Sequence, residues 1–140
     1  MASSRRFLAL VATILLAMSA AAAQRSYVNI ETDNTQMVLA TDAKGQLLFL
    51  HYGAKIGQPE QFEAWNSYRR TDYSTDPLAY PAQGGRFFNE PALAVKYHDT
   101  DQNTELSFES WTVSEPKAGV KRHEVLLKDV KTKLEVKLIY

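Results

Sequence analysis

The chain has 140 residues, no cysteine, and sixteen Lys and Arg balanced by sixteen Asp and Glu. Disulfide staples and thiolate chemistry are thereby excluded, and there is no basic footprint for nucleic acid. The first residues read as an export signal. Arg5 and Arg6 precede an apolar run from Phe7 to Met18, and Ala20 to Ala23 supply the small residues of a cleavage site. A membrane-spanning helix needs roughly 20 apolar residues, so the run predicts a leader cut between Ala23 and Gln24, an exported product, periplasmic or extracellular, and no membrane association after cleavage. The remaining 117 residues carry 14 basic and 16 acidic groups and suit one domain, residues 24–140.

Beyond the leader the apolar residues recur with period two, the mark of half-buried strands. Tyr27-Val28-Asn29-Ile30 is a short strand. Met37 to Ala40 and Leu47 to Leu50 flank Thr41-Asp42-Ala43-Lys44-Gly45-Gln46, whose Asp and Gly suit a hairpin turn. Ala92 to Tyr97 reads as another strand. Thr104 to Val113 alternates, placing Leu106 and Phe108, and after them Ser110, on one face, with Glu105, Ser107, Glu109 and Trp111 on the other. His123 to Val130 and Lys133 to Tyr140 form a second hairpin through Lys131-Thr132. The final residues alternate with no turn or polar tail after them, which predicts a domain incomplete at its C-terminus. The expected class is all-β, a sandwich that continues into something larger.

Between the two halves, Gly53 to Pro91 differs in kind. It holds four prolines and the aromatics Phe62, Trp65, Tyr68, Tyr73, Tyr80, Phe87 and Phe88. Gln61 to Arg70 has the pattern of one or two amphipathic helical turns, and Arg70 to Asn89 has no period. Aromatic density argues against disorder, and a loop of this length in a small domain is usually functional. Trp65, Tyr73 and Tyr80, with nearby arginines, are of the types that anchor interfaces. Composition does not divide them between an interface or ligand role and capping of the β core.

Chemistry-bearing constellations are sparse. Asp72 and Asp76 resemble a glycosidase pair in type, yet Asp before Pro is first a turn former. His51, His98 and His123 lack metal-ligand spacing, and Asp99, Asp101 and Asn103 lack the Gly and Glu of a calcium loop. No phosphate-cradling or nucleophile motif occurs. The residues therefore predict no catalytic group, no metal and no cofactor.

The segment Tyr80-Pro81-Ala82-Gln83-Gly84-Gly85-Arg86-Phe87-Phe88-Asn89-Glu90-Pro91-Ala92-Leu93-Ala94-Val95 resembles the Tyr-Pro, Gly, Phe, Glu-Pro-Ala-Leu, Val pattern of the N-terminal domain of melibiase-type α-galactosidases, glycoside hydrolase family 36. Leu48 to Gly53 is similar to their leucine, His-Tyr-Gly strand, and the leader and wording resemble Bacteroidetes forms. The resemblance implies a β-supersandwich, here partial, followed in the whole protein by a (β/α)8 barrel that carries both catalytic aspartates. It implies retaining hydrolysis of terminal α-D-galactosides by the whole enzyme, with the missing barrel of the same chain as the partner of these residues, and homo-oligomers. A loop of the domain that borders a neighbouring subunit's galactose site matches about Asp72 to Asn89, so Asp76, Arg86 and Asn89 are the implied substrate-binding candidates. The family's Arg before Glu-Pro-Ala is Asn89 here, with Arg86 three residues earlier. Carbohydrate binding by a free-standing envelope β-sandwich is the alternative.

Overall fold

The computed structural model describes residues 25–66, 77–84, 90–98 and 102–140, with only the backbone for residues 63–66. Two antiparallel three-stranded sheets face one another. The first runs β1 (Tyr27–Glu31), β2 (Thr35–Thr41), β3 (Leu47–Ala54); the second runs β4 (Leu106–Lys117), β5 (Val120–Asp129), β6 (Glu135–Ile139), each in sequence order. A 3-10 helix, Pro59–Asn66, follows β3.

The predicted turn between β2 and β3 forms as its residues dictate. The Asp42 carboxylate accepts from the Lys44 and Gln46 amides at 2.8 Å each, an Asx arrangement. Gly45 takes φ +80°, where a Cβ would lie 2.6 Å from Ser107 Oγ. Its carbonyl accepts the Phe108 amide at 2.8 Å, so this turn of the first sheet is tied to β4 of the second.

Between the sheets Val28, Leu39 and Val125 are fully buried, with Leu47, Leu106 and Leu127 close behind; Ile30, Met37, Phe108, Trp111, Val136 and Leu138 pack around them. β2 is central and buries both faces. On its other face Gln36, Val38 and Ala40 lie at 1% exposure or less, beneath the chain that follows β3. There the Gln36 side-chain amide donates to Gly57 O at 2.9 Å and to Asn29 Oδ1 at 3.1 Å, and its oxygen accepts the Ile56 amide at 3.4 Å. Phe62, 3% exposed, stacks on His51 with centroids 4.8 Å apart. The first part of the aromatic segment thus covers the chain's own sheet.

Three expectations are corrected. Ala92 to Tyr97 forms no strand; only Leu93 pairs, in a parallel bridge to Ala82, because Pro91 removes a donor and the neighbouring backbone bonds run to a loop. The alternation of β4 also reverses midway. A bulge at Glu109 sets Phe108 opposite Leu127 and Ser110 opposite Leu126, so Trp111 joins Leu106 and Phe108 on the core side. The connection between β5 and β6 is longer than Lys131-Thr132, spanning Val130 to Leu134.

Candidate functional site

The segment singled out by its aromatics is laced onto the sandwich on both sides of residues 85–89. Ahead of it, Phe49 N donates to Pro77 O at 2.7 Å and Ala79 N to Leu47 O at 2.9 Å, with Leu48 and Leu78 bridged. Pro77 to Ala79 thereby covers part of the edge of β3. Next, Ala92 N donates to Pro81 O at 2.8 Å, Gln83 N to Leu93 O at 2.7 Å and Thr104 N to Gln83 O at 2.9 Å. Gly84 completes the clamp. Its φ is +139°, and a Cβ would strike Asn103 Oδ1 and come within 2.7 Å of the Thr104 amide, so the position accepts only the residue without one.

Of the residues predicted for interface or sugar contact, Tyr80 lies in this clamp. It is half-buried, its ring packs on the common core, and its hydroxyl donates to Ala92 O at 3.5 Å. Trp65 belongs to the 3-10 helix, its side chain outside the described residues. Tyr73, Asp76, Arg86 and Asn89 lie outside the described residues as well, as do Asp72, Asp99 and Asp101.

The described histidines are dispersed, as their spacing implies. His51 packs on Phe62 and its Nε2 meets Ala54 O at 3.0 Å; His98 is exposed. Among the described residues no three His, Cys, Asp or Glu side chains converge to hold a metal. Among the described residues one carboxylate is buried, Asp129 at 5% exposure. Its Oδ1 accepts the Glu105 amide and its Oδ2 the Thr132 amide, each at 2.8 Å. Burial alone would raise this acid, but the Thr132 side chain and the amides of Glu105, Thr132 and Lys131 outweigh it and hold the carboxyl below its ordinary value. A carboxylate so occupied is a structural cap, with no proton to give at neutral pH.

Two polar features escaped the sequence reading. Asp129 sits before Val130-Lys131-Thr132, an Asx-turn signature that was legible. The other is Trp111 with His123: the indole Nε1–H donates to His123 Nδ1 at 3.2 Å, the rings 15° from parallel. Only the β4–β5 register brings them together.

Residues 45–140 match the family described as the glycosyl hydrolase family 36 N-terminal domain. The chain belongs to that family. Solved structures with a similar fold include the family 36 α-galactosidase AgaA from Geobacillus stearothermophilus, 20% identical over 82% of this chain and 20% of that one, TM-score 0.69. The α-galactosidase from Lactobacillus brevis is 19% identical over 81% of this chain and 19% of its own, TM-score 0.67. The galactosidase domain of the α-galactosidase-sucrose kinase AgaSK is 21% identical over 82% of this chain and 21% of its own, TM-score 0.66. No curated protein matches. This family 36 N-terminal domain therefore spans about a fifth of the solved chains it resembles.

Proposed function

We propose that residues 24–140 act as the non-catalytic N-terminal domain of an exported α-galactosidase that hydrolyses terminal α-D-galactosides with retention. The domain supports the catalytic barrel and subunit contacts, and Asp76, Arg86 and Asn89 border a galactose site. The observation that carries this reading is the family match over residues 45–140, joined to a fold similar to about a fifth of longer α-galactosidase chains. Among the described residues the one buried carboxylate, Asp129, is held by backbone amides and serves the fold. The purified chain, assayed on an aryl α-galactoside, is expected to be inert; turnover above a boiled control overturns the non-catalytic assignment. Edman degradation or intact mass of the exported product is expected to begin at Gln24, and retention of residues 1–23 overturns the leader.

A further inference from the structure

From Thr112 to Arg122 every residue is exposed, although β4 and β5 remain paired there. This two-stranded arm runs past the sandwich, and a two-stranded ribbon on its own is marginally stable in water. Trp111 is the last residue before the arm and His123 the first after it. Their hydrogen bond of 3.2 Å closes its root. His123 is 6% exposed, and Trp111 packs against the common core, so the bond joins the arm's two strands at the point where core packing ends.

We propose that the Trp111–His123 pair is an acid-released latch that closes the root of the β4–β5 arm by joining its two strands. The indole N–H can only donate, so Nδ1 must carry a lone pair to accept it. A proton taken from solvent at Nδ1 consumes that lone pair and leaves two donors facing each other. The buried ring also loses more than an exposed one on becoming charged.

The groups around the ring favour the neutral form. Lys121 stands two residues away on β5, and together with burial it pulls the histidine below its ordinary value, burial being the larger cause. β4 offers Val113 opposite the ring, and just past β6 Tyr140 exchanges two 3.0 Å backbone bonds with His123. From β1, Glu31 lies within electrostatic reach of Lys121 and is itself held by Asn29 and Lys55. The neighbours Arg122 and Glu124 pair with each other at 3.0 Å, and Glu124 with Lys137 at 3.1 Å, so the carboxylate next to His123 in sequence is engaged with cations of its own.

The test follows indole and amide exchange by NMR on the whole chain between about pH 7.5 and about pH 4.5, the range in which histidines titrate. The Trp111 indole N–H and the amides of residues 112–122 are expected to be protected at the upper end. Protection should fall by roughly fivefold to tenfold, the factor set by one net hydrogen bond, at a midpoint below the usual 6.5. His123→Gln keeps an acceptor that does not titrate and should abolish the step. Trp111→Phe keeps a ring without the N–H; its arm should be loose already at the upper pH and show no step. Histidine variants at 51 and 98 should keep it. A step that survives in His123→Gln, no step in the natural chain, or an arm in Trp111→Phe as protected as the natural one overturns the latch. Should His123→Gln fail to fold, Trp111→Phe decides alone.

Discussion

Replacing Asp129 by alanine deletes the acceptor for the Glu105 and Thr132 amides, both at 2.8 Å. A buried donor left without a partner costs about 1–3 kcal/mol. Thr132 is exposed and water can take over its amide, whereas Glu105 is partly covered, so the loss should come to about 3 kcal/mol, one donor at about 2 and the other at about 1. In a domain of this size that lowers Tm by on the order of 15 °C. Thermal and urea unfolding of Asp129→Ala beside the natural chain read it directly, with Asp129→Asn as the intermediate case. The same residue sets an acid dependence. Its folded-state carboxyl titrates below the ordinary 3.8, so its stabilisation is fully present above that value and is lost as pH falls through the lower, folded-state value. The natural chain should therefore lose stability on acidification below pH 3.8 in a way that Asp129→Asn does not. An Asp129→Ala protein within about 0.5 kcal/mol of the natural one, the scale of ordinary surface changes, would refute the account of this carboxylate as a cap.

Gly84→Ala should cost about 1–3 kcal/mol, from the strained φ and the contact with the Thr104 amide together; a Tm unchanged by the substitution would show that the clamp shifts freely. Leu39→Ala, at a site with no exposure in the shared core, should cost about 2–5 kcal/mol by urea denaturation, and a loss under about 1 kcal/mol would mean that the two sheets are not packed as described.

Much of the first sheet was legible because its signals are local. Asp42 and Gly45 dictate the turn between β2 and β3 from their own chemistry, and the pattern of Tyr27 to Ile30 and the apolar runs Met37 to Ala40 and Leu47 to Leu50 name the strands. The second sheet was legible in its strands but not in its phase. A single extra residue, Glu109, turns Trp111 inward, and no period-two count registers a bulge. The turn from Lys117 to Val120 was overlooked because polar residues on both sides give no inward–outward contrast, the natural consequence of an arm with nothing to bury. The strand expected over Ala92 to Tyr97 failed because its apolar residues serve a clamp held by isolated backbone bonds. Tyr80 shows the limit of composition: half-buried against the core, it does packing work that the aromatic count alone could not separate from an interface role.

Each sheet is an uninterrupted meander, β1-β2-β3 and β4-β5-β6. Every strand pairing can therefore be reached by closing a short loop, while docking of the two meanders must close the span between residues 55 and 105. Contacts of small sequence separation form quickly and cheaply, and distant ones carry the chain-closure entropy. The order of events during folding follows from that difference. Hairpins arise first and independently, and the barrier belongs to the meeting of Val28 and Leu39 with Val125 and Leu127 across the interior. Changes in the four hairpin turns, formed before that barrier, should then alter mainly how fast the domain assembles, and changes in contacts completed only after the meeting should alter mainly how fast it comes apart.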